Sequence, residues 1–283
     1  MGAGAVGRLV KPGMAARGAA VTLVLCLVFA LLLRVQEVRA GAWTQKESEG
    51  SFYLQATATR SDHGFDGASS LFASQRYDKL TTQLFMEYGA SDWLTLLFAP
   101  ELLAIDIGAP TQASYSGFGY TEFGGRLRVA QGADWVMSVQ VLGRAPGAKP
   151  DAGPAAIGYL EGEADLRVLA GLSFLLWDMP AFLDIEMAQR LRFGAPPDEF
   201  RLDATLGVRV APQWLLLLQS FNVVSQGPGT WPFIQSYEYY KVQAGAMLDL
   251  TPQMSLSLSL VSTYFARNAL QENGAVLAVL YRY

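Results

Sequence analysis

The stretch from Gly119 to Arg144, GYTEFGGRLRVAQGADWVMSVQVLGR, alternates apolar and polar residues over two successive segments. Side chains of a β-strand point alternately to opposite faces, so Phe123 and Leu127 share one face while Glu122 and Arg126 share the other. The intervening QGAD provides a tight reversal. The stretch therefore predicts a β-hairpin with one apolar and one ionic face.

The same two-residue period recurs along the chain, which restricts the kind of sheet that it can form. Between Leu160 and Val168 the apolar residues alternate with Glu161, Glu163, Asp165 and Arg167, a set that would not suit a soluble core. We count twelve segments of this kind. The ninth, WLLLLQSFNVV, is apolar on both faces at its start, so its facing stays open.

The connections between these segments indicate a membrane barrel. Short turns follow the second, fourth, sixth, eighth and tenth segments, and the other connections are on the whole longer, with stretches 61–75 and 107–119 interpreted as long loops. This asymmetry and an even strand number are typical of outer-membrane barrels. Because unpaired backbone groups cost several kcal/mol each in hydrocarbon, such a sheet must close on itself. We predict an all-β fold, a 12-stranded antiparallel transmembrane β-barrel over residues 51–283.

Four tryptophans occur at the short turns, where they would stand at one level of the barrel. Trp93, Trp135 and Trp214 directly follow a short turn, and Trp177 lies in one. Tryptophan has an apolar body and a polar N–H, so it is favoured where a membrane meets water. The four residues predict a membrane girdle. Packing at the end of a soluble sandwich is the alternative.

The N-terminus has the features of a secretory signal peptide. A basic region precedes the apolar run Gly18–Leu33, and Val38-Arg39-Ala40 ends the segment with small or short residues at the positions that a signal peptidase needs. We predict a signal peptide over residues 1–40, cleaved before Gly41. An uncleaved anchor is the alternative, but sixteen apolar residues are short for a membrane helix. Residues 41–50 are predicted to form a periplasmic lead-in.

Composition argues against nucleic-acid binding and against stabilisation by disulfides. Residues 1–40 hold five of the 21 basic and one of the 25 acidic residues, so without them the formal charge is −8. An acidic chain is a poor partner for nucleic acid, which requires clustered Lys and Arg. The single cysteine, Cys26, lies within the predicted signal peptide, so disulfides would not stabilise the barrel.

The charged face predicts a mixed-sign wall or constriction inside the barrel. Its members are Glu122, Arg126, Arg128, Glu161, Glu163, Asp165, Arg167, Asp184, Glu186, Arg190 and Arg192. Opposed charges could orient polar solutes in a pore, or they could neutralise one another and fill the interior. Twelve strands lie between filled eight-stranded barrels and open porins of 16–18 strands, so the two readings carry equal weight.

An outer-membrane enzyme is a further possibility that the sequence disfavours. Barrel lipases require a histidine and a serine on the same face of a strand. The only histidine, His63, has Gly64 and Phe65 after it and would be separated from Asp62 by the strand alternation. Asp62, His63 and Asp66 do not have the spacing of a metal site. We expect no metal, no cofactor and no catalytic residue.

The C-terminus and the turns carry a family resemblance. Val279, Tyr281 and Tyr283 resemble the assembly signal that the barrel-insertion machinery reads in bacterial outer-membrane proteins. With GAWTQ at the predicted mature start and short turns before tryptophan, residues 41–283 resemble a group of outer-membrane transport barrels associated with degradation of phenol and related aromatics. That group is defined by pattern, so the resemblance implies location and a transport role but no substrate-binding residue.

These observations predict a protein of the bacterial outer membrane that passes small solutes, aromatic or other hydrophobic compounds among them, through a charged lumen. Its expected partners are outer-membrane lipid, the barrel-insertion machinery and those solutes. A non-conducting structural or assembly barrel is the second hypothesis, and an outer-membrane enzyme is the third.

Overall fold

The computed structural model describes residues 41–283, and the predicted signal peptide lies outside them. The chain forms a closed antiparallel barrel of twelve strands, as predicted. The barrel strands are β1 Gly50–Phe65, β2 Leu71–Ser91, β3 Leu94–Ile107, β4 Ala113–Gln131, β5 Trp135–Ala145, β6 Glu163–Leu176, β7 Met179–Arg192, β8 Glu199–Ala211, β9 Trp214–Ser225, β10 Glu238–Asp249, β11 Met254–Arg267 and β13 Asn273–Arg282. The two-residue strand β12, Ala269–Leu270, pairs with the end of β1.

The barrel closes through the first and last long strands. Strand β1 pairs with β2 on one side and with β13 on the other. Gly50 and Tyr283 exchange two backbone hydrogen bonds of 3.1 Å, so the described chain begins and ends its sheet at the same rim. This rim also carries the short turns, and we call it the short-turn rim.

Two of the predicted long loops are largely strand. Residues 61–65 and 71–75 continue β1 and β2, and residues 113–119 belong to β4. Their Ser-, Gly- and Asp-rich composition therefore did not indicate an absence of sheet pairing. The connection between β5 and β6 contains a short 3₁₀ helix, Pro154–Tyr159, and Glu161 lies after it, outside the strand that was predicted to hold it.

The two faces of the sheet separate as the alternation predicts. Phe123 is 52% exposed and Leu258 is 60% exposed on the outer face, whereas Arg126 is 4% exposed and Asp165 is completely buried inside. Strand β9 is resolved by the same criterion, because Trp214 and neighbouring outward leucines are exposed while Leu215 points inward at 2%. The outer surface is therefore an apolar band suited to lipid. No helix in the described part of the chain is long and apolar enough to cross a membrane.

Candidate functional site: the lumen

One side of the lumen is an ionic wall, formed by charged residues of β4 to β8. Its members are Glu122, Arg144, Glu163, Asp165, Arg167, Glu186, Arg190, Arg192, Glu199 and Asp203. The Arg167 guanidinium alone contacts Asp165 at 2.6 Å, Glu186 at 2.7 Å and Asp203 at 3.3 Å. The predicted mixed-sign wall is thus a network in which neighbouring strands exchange charge.

The network continues towards the other rim through Arg144 and Arg192. Arg144 contacts Glu122 at 2.7 Å and also pairs with Glu163, and its guanidinium lies 4.1 Å from the ring centroid of Tyr120. Arg192 reaches Glu163 at 2.7 Å. Glu163 is 3% exposed, and its buried charge is compensated by several cations and by the Tyr120 hydroxyl, which donates to it at 3.1 Å.

Four of the predicted lumen residues lie apart from this network. Asp184 of β7 accepts a hydrogen bond from the Ala42 N–H at 2.8 Å and makes no ion pair with any residue from 41 to 283. Arg126 pairs with Glu87 of β2 at 2.9 Å, near the short-turn rim. Arg128, beside a bulge in β4, and Glu161, after the 3₁₀ helix, make no ion pair with any residue from 41 to 283. The alternation predicted that these side chains face the lumen. It could not predict their partners, because ion pairing depends on strand register.

The N-terminal segment, residues 41–47, enters the barrel at the short-turn rim: Ala42 and Thr44 are buried, while Lys46 and Glu47 are exposed. It is part of the stretch, residues 41–50, that was predicted to be a periplasmic lead-in. The Ala42 N–H donates to Asp184 at 2.8 Å, and its carbonyl accepts from Ser138 Oγ at 2.6 Å. The Trp43 carbonyl accepts from Arg126 at 3.0 Å. These wall residues satisfy the segment's backbone groups, so an extended peptide can leave water and enter the lumen.

Trp43 anchors the same segment against an apolar patch. Its ring packs edge-to-face on Phe182 with a centroid distance of 6.4 Å, and a Cβ at Gly171 would collide with it. Around Trp43 lie the inward residues Tyr53, Phe182, Leu215, Leu217, Met247 and Leu280, which we call the apolar patch. The lumen is therefore not ionic throughout. The continuous apolar run at the start of β9 indicated that some apolar residues face the lumen, but it did not show which leucines point inward.

The middle of the lumen side opposite the ionic wall is lined by uncharged side chains, and we call it the neutral wall. The inward charges of the same strands, Lys79, Glu87 and Lys241, lie towards its two ends. The neutral wall is formed by inward amide and hydroxyl side chains of β1, β2, β9 and β10: Gln55, Thr57, Thr81, Gln83, Gln219 and Gln243. Gln243 donates to Gln219 at 2.9 Å. All six are partly accessible, whereas the inward residues Ser138, Gln140 and Leu142 on β5 are buried. Space inside the barrel thus borders the neutral wall.

A carboxylate bridges two lysines on the longer-loop side of the barrel. Glu272, in the connection between β12 and β13, lies 3.7 Å from Lys79 and also pairs with Lys241. Burial raises the pKa of the Glu272 carboxyl, but the two ammonium groups outweigh this effect and lower the pKa to about 2. The bridge therefore stays charged throughout the physiological pH range.

The residues predicted for the girdle and the assembly signal all lie on the outside or at the short-turn rim. Trp93, Trp135, Trp177 and Trp214 are 53%, 43%, 82% and 45% exposed. Tyr281 and Tyr283 are each 47% exposed, and Val279 shares their face of β13. The Tyr283 ring stacks on Phe52 at 5.2 Å.

His63 lies at the far end of β1, away from the lumen network. A bulge between Ser61 and His63 alters the alternation, so the prediction that strand geometry separates His63 from Asp62 is wrong: their side chains meet at 2.6 Å. Asp66 is engaged in its turn, where it accepts from the N–H groups of Ala68 and Ser70 at 2.8 Å each. Among residues 41–283 no group of three His, Cys, Asp or Glu side chains could hold a metal ion.

Comparison with known proteins places the fold among bacterial outer-membrane proteins. An outer-membrane channel from Pseudomonas putida F1 superposes with a TM-score of 0.68 at 17% identity, covering 87% of this chain and all of that one. The translocator domain of the autotransporter NalP from Neisseria meningitidis gives 0.51 at 7% identity, covering 95% and 98%. The β domain of the Bordetella autotransporter BrkA gives 0.50 at 13%, covering 84% and 99%. No protein-family model and no curated protein matches the chain.

Proposed function

We propose that this protein is an outer-membrane channel that lets small solutes pass along the neutral wall, opposite the ionic wall. The observation that carries the proposal is the division of the lumen: the charges of β4 to β8 neutralise one another, while the opposite side chains stay partly accessible. The likeness in fold to the Pseudomonas channel supports the same function. The N-terminal segment narrows this passage at the short-turn rim.

Solutes with an apolar part fit this lumen better than sugars do. A solute that follows the neutral wall reaches Tyr53 and Leu217, which are partly accessible members of the apolar patch, before it leaves. Burial of an aromatic ring against such residues is favourable by roughly 25 cal/mol per Å² of apolar surface. This supports the aromatic or other hydrophobic solutes that were predicted among the substrates.

The test is flux through reconstituted barrels with a matched pair of tryptophan variants. Thr57 points into the lumen on β1, and its neighbour Ala56 points outward. Thr57→Trp should lower both planar-bilayer conductance and liposome uptake severalfold, because the indole occupies the passage. Ala56→Trp should leave both unchanged. Equal flux through wild type and Thr57→Trp would contradict the route along the neutral wall.

An uptake panel separates the solute classes. Liposomes carrying the protein should take up aromatic acids faster than sugars or amino acids of similar size. Equal uptake rates for the three classes would contradict a preference for aromatic solutes and would indicate an unselective pore.

A non-conducting structural barrel is the second candidate, and one observation favours it. The N-terminal segment enters the lumen at the short-turn rim and is held there by Asp184 and by Arg126, which also pairs with Glu87. A wild-type barrel without steady current and without uptake of any solute in the panel would support this function and overturn the channel.

A further inference from the structure

Asp184 is a buried lumen carboxylate whose charge has no partner. It is 2% exposed, and its Oδ1 accepts the Ala42 N–H at 2.8 Å. Across residues 41–283 no arginine or lysine nitrogen lies within 4.0 Å of it. The deeply buried carboxylates of the ionic wall, Glu163, Asp165 and Glu199, each have such a cation. A buried charge without a counter-ion is unfavourable, so this site favours the binding of a cation or of a proton.

Glu186 lies two residues further along the same face, and its surroundings do not supply the positive charge that Asp184 lacks. It shares Arg167 with Asp165 and Asp203, so one guanidinium serves three carboxylates. With Asp184, this part of the wall holds an excess of negative charge.

Gly41 lies directly at the two carboxylates. A Cβ on Gly41 would collide with Oδ2 of Asp184 and with Oε1 of Glu186, so any larger residue would displace these carboxylates. Cβ and the backbone nitrogen are bonded to the same Cα, which places the Gly41 nitrogen within about 5 Å of both carboxylates. A positive charge at that distance would interact strongly with them.

We propose that signal-peptide cleavage before Gly41 creates this missing cation, and that the new α-ammonium binds between Asp184 and Glu186 and holds the N-terminal segment in the lumen. Water hydrolyses the Ala40–Gly41 peptide bond; Ala40 leaves with a carboxylate and Gly41 retains an amine, which takes up a proton at neutral pH. In the precursor the same nitrogen is an uncharged amide. Processing thus completes the barrel interior, whether or not the barrel conducts.

The first experiment maps amine reactivity in the exported protein. The full precursor is expressed, and the barrel is purified from outer membranes. Its intact mass should correspond to a chain beginning at Gly41; any other start would overturn the proposal. The folded protein is then treated with an amine-acylating reagent at neutral pH and mapped by peptide mass spectrometry.

The Lys46 amine is the internal reference, because its side chain is 63% exposed. An α-amine has the lower intrinsic pKa and normally reacts first at neutral pH. In the wild type we expect Gly41 to react about tenfold more slowly than Lys46, the size of effect that one buried charge pair gives. The double variant Asp184→Asn, Glu186→Gln should abolish this protection. Asp184→Asn alone should reduce it.

Asp249→Asn is the matched control, since it removes a lumen carboxylate that pairs with Arg209 at 2.9 Å and does not contact Gly41. Protection of Gly41 should persist in this variant. A Gly41 amine that reacts as fast as Lys46 in the wild type, or that stays protected in the double variant, would contradict the ion pair.

A second measurement separates charge from burial. One glycine inserted before Gly41 moves the ammonium away from its site while the chain remains processed. The insertion should lower the temperature at which the folded band disappears on gels, and the shift should vanish in the Asp184→Asn, Glu186→Gln background. An equal shift in both backgrounds would mean that the ammonium does not act through these carboxylates.

Discussion

At the scale of single residues, Asp165 shows how the lumen tolerates buried charge. Its carboxylate is completely buried and contacts Arg167 at 2.6 Å and Arg190 at 2.8 Å. The two guanidinium groups come from two different strands, β6 and β7, so this carboxylate also fixes their register. A buried pair adds little net stability when intact, but loss of one partner leaves the other charge uncompensated.

We therefore expect Asp165→Ala to lower the free energy of unfolding by about 3 kcal/mol, because two arginines lose their shared acceptor. Asp165→Asn, which keeps two polar atoms in place, should cost less. Urea unfolding in lipid vesicles measures both. Asp151→Asn, in the exposed loop after β5, is the control and should leave the midpoint unchanged. An Asp165→Ala protein as stable as wild type would show that the network is not structural.

At the scale of elements, β11 combines both environments in one strand. Its sequence MSLSLSLV places Ser255, Ser257 and Ser259 inward at 0%, 4% and 3% exposure, while Leu258 and Leu260 point outward at 60% and 68%. Serine inside allows the neighbouring strands and lumen groups to approach closely, and leucine outside faces the acyl chains. Successive residues of β11 thus alternate between the lumen and the lipid.

Arginine substitutions along β11 should report its depth in the bilayer. Leu258→Arg should lower the free energy of unfolding by about 2–4 kcal/mol, and Met254→Arg, on the same face beside the short turn, by about 0–1 kcal/mol. Unfolding in lipid vesicles would measure both losses. Equal losses at the two positions would contradict the placement of the short-turn rim at the membrane interface.

At the scale of the whole molecule, the barrel depends on joining its two ends. Strand β1 pairs with β13 over ten residues, from Ser51 with Arg282 to Arg60 with Asn273. The pairing leaves no open edge in the apolar band, which is the condition for a sheet to span hydrocarbon. Tyr283 ends this seam, with its ring on Phe52.

Tyr283→Ala should reduce the amount of folded protein in the outer membrane severalfold, because it removes the stacked ring at the seam and the terminal aromatic of the proposed assembly signal. Heat-modifiable band intensity in outer-membrane fractions provides the measurement. Tyr264→Ala, an outward tyrosine that is 58% exposed on β11, is the control and should assemble normally. Normal yield of Tyr283→Ala would remove this residue from the assembly step.

The sequence alone determined the barrel, its strand number and the facing of most strands. Those features follow from a period of two, which depends only on neighbouring residues, and from the requirement that every backbone group in hydrocarbon be paired. The charges inside were predictable for the same reason: an arginine such as Arg167, between the outward residues Leu166 and Val168, must point to the lumen.

Only the tertiary structure decided which charges meet and what else enters the lumen. Arg167 contacts Asp203 two strands away because of strand register and tilt, and Trp43 packs on Phe182 across 139 positions of sequence. The polar composition of residues 41–47 predicted a segment in water. It enters the barrel because Asp184, Ser138 and Arg126 satisfy its backbone there, a fit that exists only after the strands have closed around it.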